Sequence, residues 1–582
     1  MLSQNGTPDE VVEACRHAGV GPGTHLAVVA APHGLVALAV GDLRLALAHG
    51  GAECIAAVDD ALRPRWVCWS GATAAALIPQ GVRLSRAWDL LAVHRILYGG
   101  WRADPVRIWC QLHDLDHHRA PVAGQLDLLG AGGDDGDPDQ AIRPDGYLRP
   151  EWVEGGWRHS PAHAAEWAAT ALTAQSLQAH LLAGFRRDGT VAGDPEAMAR
   201  SESTTELLCA EMAADGLPVD IDVAEGIIGA LIGPRPANEA DAAAGRARRD
   251  AEVLRHLTMP TGVDLRNPAD VKAMLRRVGI DVPDTRAWRL EAMREQHPVV
   301  DALLLWRKAE RVATTFGYGW LDTNVGADGR LRGEWSGSDG AAGRMTAQAG
   351  LHNLPAEMRP AVHAGQGHVF VRADLGQIEP RVLAAVSRDS ALCAAAHEDD
   401  LYAPVAKRLG VDRPTAKIAV LAAMYGQTSG TAGQALRGME SAYPVAMKFL
   451  SDAATAGAEG RDLRTFGGRR IRMWDIESAG DYRAAAAARG RFARNALVQG
   501  AAAELFKVWA VTVRARGADL GARIVLCLHD ELLVHCPEHN GVAVAQLLVD
   551  CLHEASSRWQ QGAGVRFVAD VSVVHAWSDA KT

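Results

Sequence analysis

Lysine is nearly missing from this 582-residue chain: only seven of its 60 basic residues are lysine, and arginine carries the rest. A lysine in a patterned setting therefore stands out. The nine cysteines are odd in number, dispersed, and contain no Cys-x-x-Cys pair. That spacing argues against a zinc site and a disulfide framework, and for reduced thiols in a cytosol. No apolar run approaches the ~20 residues of a membrane span. The stretch HLAVVAAPHGLVALAVG, for example, is interrupted by Pro32 and His33. The opening MLSQNGTPDE lacks a basic n-region and an apolar h-region, so no secretory leader is expected. Solenoid-type repeats are absent. The net charge of −10 argues mildly against a nucleic-acid partner, although phosphate binding depends on local patches rather than on the total.

At this length two to four domains are expected. The first ~120 residues alternate short strand-like runs (His25 to Ala30, Gly34 to Val40, Trp66 to Trp69) with helical segments, an α/β pattern. Residues 128–147, rich in Gly, Asp and Pro, lack the ligand spacing of an EF-hand and are expected to form a mobile, solvated loop. From about Ser201 helical patterns dominate, with strand-like islands at Gly367 to Ala373 and Arg523 to Val534. An N-terminal α/β domain followed by a larger α+β unit accounts for this order.

Three stretches carry candidate chemistry. In HVFVRADLGQIEPRVLAAVSRD a strand ends at Asp374 and a helix starts near Ile378. Such a carboxylate either faces a cleft or caps the helix. In ARIVLCLHDELLVHCP two apolar strands enclose His529-Asp530-Glu531 at a tight hairpin tip, where Asn-Gly or Asp-Gly would be the easier turn. In DRPTAKIAVLAAMYG, Pro414 suits a helix start, and Arg413, Lys417, Leu421 and Tyr425 recur every four residues. That stripe suits a nucleoside triphosphate, with phosphates on the cations and the base toward the tyrosine; alone, it could equally be a solvated basic edge. Together the stretches converge on nucleotidyl transfer, since two carboxylates on adjacent strands can hold two Mg²⁺ ions and a cationic helix can deliver a triphosphate.

From about Glu206 to the C-terminus the sequence resembles the family A DNA polymerases, the bacterial DNA polymerase I type. DLGQIEPR is similar to the family's motif A, RPTAKIAVLAAMYG to motif B and HDE to motif C. TFGGRRI, RFARNALVQGAAAELFK, GRMTAQAGLHNLP and EMAADGLPVD fall in family order around them. The resemblance implies a right-hand α+β fold: thumb at about 205–300, palm at about 301–390 and 465–582, and fingers at about 391–464, with an antiparallel palm sheet. It implies Asp374 and Asp530 as the metal-binding pair, with the carbonyl of Leu375 as a further ligand and Glu531 in support, around two Mg²⁺ ions for which Mn²⁺ can substitute. Arg413 and Lys417 would grip the triphosphate, with Lys417 as general acid. Gln377, Glu379, Leu421 and Tyr425 would line the nucleotide pocket, Glu379 as the gate against a ribose 2′-hydroxyl. Arg344, Asn353, Arg381, Arg491, Asn495, Gln499 and His529 would contact primer–template DNA.

The chain departs from the family in several places. Motif B carries Leu421 and Ala422 where an aromatic residue and a glycine are usual, which leaves sugar selectivity open. DLY (Asp400 to Tyr402) replaces Asp-Ile-His, removing a phosphate-contacting histidine, and the fingers look trimmed. Residues 1–195 resemble the family's 3′–5′ exonuclease domain more weakly, an α/β, RNase H-like fold. AWDLLAVHRILYGG keeps Asp89, but LAVVAAPHGLVALAVG offers no acid, and HAAEWAATAL places Trp167 where an aspartate is expected. Two-metal hydrolysis needs those carboxylates, so a degenerate domain without proofreading is expected, and no 5′-nuclease domain. The overall expectation is a monomeric, template-directed DNA polymerase of the bacterial cytosol, acting in repair or gap filling without a membrane partner. The alternatives are a polymerase that accepts ribonucleotides and a non-catalytic DNA-binding scaffold.

Overall fold

The computed structural model describes residues 6–32, 34–123, 136–258, 262–426, 431–476 and 481–580. The chain forms two compact units. One comprises Met1–Asp215, Glu334–Ala347 and Val371–Val573, and the other Gly216–Gly333, Gln348–Phe370 and Val574–Thr582. This division differs from the expected boundaries. Pro195–Asp215 is one continuous helix across the expected start of the thumb, and the second unit draws on both the expected thumb and the expected palm.

The first unit contains two main sheets. Near the N-terminus, strands His25–Ala30, Val36–Val40, Leu43–Leu47, Arg65–Cys68 and Ala87–Asp89 form a five-stranded sheet in the spatial order third, second, first, fourth, fifth. The first three are antiparallel, whereas the first, fourth and fifth run parallel. The central strand is apolar and buried along most of its length, as a sheet covered on both faces requires. The helix Pro161–Arg187 packs against this sheet, and its Trp167 stacks on Trp69 with ring centroids 4.5 Å apart. Of the expected mobile loop, 128–135 lies outside the described residues. The rest is tied down: the Arg149 guanidinium donates to the carbonyls of Asp137 and Gln140 at 2.8 Å, and Ala141 is buried.

The second sheet is four-stranded, in the order Arg523–Leu528, Glu531–Pro537, His368–Leu375, Ala569–Val574. Helices Tyr482–Gly517 and Gly541–Trp559 pack together behind it. The first of these, with its extension to Leu520, is long and apolar enough by composition to cross a membrane, contrary to the expectation that no segment comes close. Its apolar window is 78% buried in the fold, so it is a core helix. Lys507 on this helix is fully buried: its ammonium donates to the carbonyls of Gly337 (3.1 Å) and Gly343 (2.7 Å) and pairs with Glu202 at 2.5 Å. Arg469 meets the same Glu202 at 2.6 Å. These contacts anchor the hairpin Trp335–Asp339/Arg344–Ala347, and with it Arg344.

In the second unit, helices Glu239–Leu254, Pro268–Arg277 and Pro298–Thr315 enclose an apolar core that includes Val253, Val271, Leu275, Leu303 and Trp306. Asn353 ends a short turn there, exposed, and its carbonyl accepts from Arg311 at 2.6 Å.

Candidate active site

The hairpin that opens the site is as tight as its sequence suggests. Leu528 pairs with Glu531, so His529 and Asp530 alone form the turn. His529 takes the left-handed conformation at φ 55°, where glycine would be easier. Gln377 does the same at φ 56°, just before the helix Ile378–Ser387. Non-glycine residues held in this region cost about 1–3 kcal/mol each and concentrate at functional sites. Asp374 lies near the end of the adjacent strand. The Leu375 N–H donates to the Asp530 carbonyl at 3.0 Å, and the Gly376 N–H donates to Val568 at 2.9 Å. The turn that bears Asp530 is thereby held against the strand that bears Asp374. Asp374 is not a helix cap, because Gln377 occupies that position.

Burial raises the carboxyl of Asp530 above its ordinary range, with a smaller push from Glu531, while His529 and Arg344 oppose the shift. Such a group gains from a nearby cation. Arg372, unremarked in the sequence, is a permanent cation for the neighbouring carboxylates Asp374 and Glu531. It is 4% exposed and donates to Glu531 through Nε (3.0 Å) and Nη2 (2.9 Å). The same guanidinium contacts Asp374 and reaches Asp570 at 3.3 Å. Glu531, itself buried, thus anchors a guanidinium that also orients Asp374.

The helix Arg413–Tyr425 begins where Asp412 accepts the Thr415 N–H at 2.8 Å, with Pro414 in its first turn, and ends at Gly426 with φ 68°. Leu421 and Tyr425 face a pocket of about 270 Å³, which they line with Arg344, Gln377, Glu379, Tyr402, Ala502, His529 and Asp530, among others. The Tyr425 hydroxyl donates to Glu379 at 2.9 Å, and Arg344 donates to the other oxygen of that carboxylate at 2.9 Å. Burial and the Glu379 carboxylate push the Tyr425 phenol up to about 12, so it remains a donor. Two anchors thus fix the Glu379 side chain.

Arg413 and Lys417, on the same helix, are exposed and do not line this pocket. Arg413 pairs with Asp400 at 2.5 Å and lies 5.7 Å from the Tyr402 ring. Asp400 also accepts from Gln377 at 2.8 Å. The Arg413 guanidinium, followed by the Gln377 contact, holds the Asp400 carboxyl below its usual range. The DLY segment, which by sequence marks only a missing histidine, therefore supplies a pocket wall (Tyr402) and a partner for the candidate phosphate-binding arginine.

Arg491, Asn495 and Gln499 share one face of the helix Tyr482–Gly517, Arg491 exposed and the other two half-buried. Arg381 is a correction. It is fully buried, and its guanidinium donates to five carbonyls (Gly376, Ala396, Glu398, Asp399 and Arg566) at 2.5–3.2 Å. With every donor engaged inside the fold, it ties together three segments and does not present itself to DNA.

At the N-terminal sheet, Asp89 is 1% exposed and caps the helix Leu90–Tyr98 through the Ala92 N–H at 2.9 Å. Burial, and then Glu206, push its carboxyl well up. A cavity of about 440 Å³ lies beside Ala30, Pro32, Trp69, Trp157 and Trp167, and among the described residues no carboxylate lines it.

Comparison with known proteins agrees with this geometry. Residues 269–579 match the model of DNA polymerase family A, and the chain belongs to that family. DNA polymerase I of Chloroflexus aurantiacus is 31% identical over 45% of this chain and 31% of its own length. The thermostable DNA polymerase I of Thermus aquaticus is 29% identical over 52% of this chain and 40% of its own. The matched region thus spans less than half of these relatives. The solved POL domain of Pol1 from M. smegmatis, in complex with DNA primer-template and dNTP, shares the fold over 99% of both chains at TM-score 0.68 and 21% identity. The four-stranded sheet is accordingly the palm of a family A polymerase fold.

Proposed function

We propose that the protein is a template-directed DNA polymerase that adds deoxynucleotides to a primer 3′-hydroxyl, acting as a monomer on primer–template DNA in bacterial repair or gap filling. The observation that carries this reading is the 270 Å³ pocket, where Glu379, Leu421, Tyr425, His529 and Asp530 meet from three separate segments. Asp374 and Asp530 fit a divalent cation by their hard oxygen donors and the burial of Asp530. Magnesium is bound through one or two carboxylates plus substrate phosphates, so the two aspartates suffice on the protein side. When bound, two such ions would activate the 3′-hydroxyl and stabilise the departing pyrophosphate.

The remaining roles belong to the chain. Arg413 exchanges Asp400 for the triphosphate. Lys417, one helical turn on, has no ion-pair partner among the described residues and delivers a proton to the pyrophosphate. Glu379, clamped by Tyr425 and Arg344, excludes a 2′-hydroxyl. Arg491, Asn495 and Gln499 follow the DNA backbone, leaving sequence choice to base pairing. The acid-free cavity at the N-terminal sheet and the burial of Asp89 support an exonuclease-like domain without proofreading. Leu421 favours a second reading, relaxed sugar selectivity, because an aliphatic side chain replaces a stacking ring worth about 1–3 kcal/mol.

Primer extension on a defined template with Mg²⁺, comparing deoxy- and ribonucleotides, tests both readings. Templated deoxynucleotide addition abolished by Asp530→Ala supports the first. Equal use of ribonucleotides supports the second. No extension alongside tight primer–template binding would favour a scaffold.

A further inference from the structure

A cavity of about 910 Å³ lies within the first unit at the opposite end of the palm strand from the site above. Arg523 lines it and opens the strand Arg523–Leu528, which leads into His529 and Asp530. Six strand residues separate the two places by roughly 20 Å. Nine arginines and six carboxylates line the cavity, a surplus of three cations in a chain whose net charge is −10.

Asp60 and Asp519 have no ion-pair partner among the described residues, and Asp194 accepts backbone N–H groups; the other three carboxylates are engaged by side chains. Asp59 accepts from the Trp66 indole (2.6 Å) and Ser85 (2.9 Å). Glu211 takes Arg514 at 2.7 Å, and Glu554 takes Arg516 and Arg558 at 2.8 Å. Among the described residues Arg65 has only the Ala87 carbonyl at 3.1 Å, and Arg200 a loose contact with Glu196 at 3.5 Å. Arg63, Arg86 and Arg523 have no ion-pair partner among the described residues. These cations repel one another. Burial, then Arg200 and Arg86, bring the Arg65 guanidinium down to about 10, and burial with Arg65 and Arg200 brings His25 down to about 4.

Two further lining residues carry an unmatched buried donor. Ser201 and Trp559 are 7% and 6% exposed, yet neither the serine hydroxyl nor the indole N–H has a hydrogen-bond partner among the described residues. Buried donors are normally satisfied. Trp559 also lies against Phe466, with ring centroids 4.8 Å apart, which gives the cavity an aromatic wall.

We propose that this cavity is a second ligand site, distinct from the palm pocket, that binds a nucleoside polyphosphate. Arg65, Arg86 and Arg200 take the phosphates, and Phe466 and Trp559 receive the base. The volume falls within the range of roughly 300–1,000 Å³ usual for small-molecule sites.

The test uses the full chain carrying Arg413→Ala and Lys417→Ala, so that the palm helix no longer competes, titrated calorimetrically with ATP and separately with inorganic tripolyphosphate in EDTA. One ATP per chain is expected. Adding Arg86→Glu, an exposed position that leaves the fold intact, should weaken ATP at least tenfold, and Trp559→Leu should weaken ATP while leaving tripolyphosphate unchanged. Absence of ATP binding, or binding indifferent to Arg86→Glu, would overturn the proposal. Tripolyphosphate binding as tightly as ATP would overturn the nucleoside assignment. Catalysis does not enter the readout, so the result stands apart from the polymerase reading.

Discussion

Replacing Arg372 by methionine removes a cation that three carboxylates share while keeping much of the side chain's volume. The contact with Asp570 spans 3.3 Å to a side chain that is 82% exposed, so solvent screening leaves it little weight. The pair with Glu531 is different: both side chains are about 5% exposed, and two nitrogens donate to one oxygen at 2.9 and 3.0 Å. Taking one partner from a buried pair costs about 3–5 kcal/mol, because the surviving charge keeps its desolvation penalty. Against a total stability of ~5–15 kcal/mol for a domain, that loss is large. Urea denaturation followed by tryptophan fluorescence should show a clear fall in midpoint for Arg372→Met. The double variant Arg372→Met/Glu531→Gln should recover most of it, since the stranded charge is gone. A single variant within about 0.5 kcal/mol of wild type would refute the reasoning, as would a double variant no more stable than the single, because additive effects mean no coupling.

Three further outcomes follow from the site and the core. Glu379→Ala should raise ribonucleotide incorporation roughly 10–200-fold, the range in which one missing steric group discriminates, as read by single-turnover extension. Asp400→Asn releases Arg413 and should lower KM for the incoming nucleotide by a few-fold with kcat unchanged, the modest size reflecting an exposed pair. His94 is buried, and burial followed by Arg472, Arg95 and Arg107 brings its imidazole down to about 3. The unfolded chain therefore binds a proton below pH 6.5 that the folded chain does not, and stability falls as pH drops from 6.5 toward 3. His94→Phe should cancel that loss, giving a gain over wild type of about 2 kcal/mol at pH 5 relative to pH 7.5; equal pH profiles would exclude it.

Sequence by itself determined the features that depend on neighbours along the chain. The strand-like runs, the start of the helix Arg413–Tyr425 at Pro414, and a tight hairpin at His529-Asp530-Glu531 were legible because hydrophobic period, Pro at a helix start, and polar residues between apolar runs act over a few residues; pairing of Leu528 with Glu531 then narrows the turn to two residues. The expected apolar limit failed at the helix Tyr482–Gly517, whose arginines hide a long alanine-rich core stripe. Only the tertiary structure decided which arginines are free. Arg381 follows its motif in the sequence, yet carbonyls from 5 to 185 residues away consume it. Arg372 sits unnoticed in a strand until Glu531, 159 residues away, makes it part of the site. The arginines around the 910 Å³ cavity come from strands, helices and loops spread along the first unit. The physical reason is common to all of them. A guanidinium is long, always charged and capable of five donations, so its role is set by which acceptors the fold brings within 3 Å of it, and local sequence carries almost no information about that.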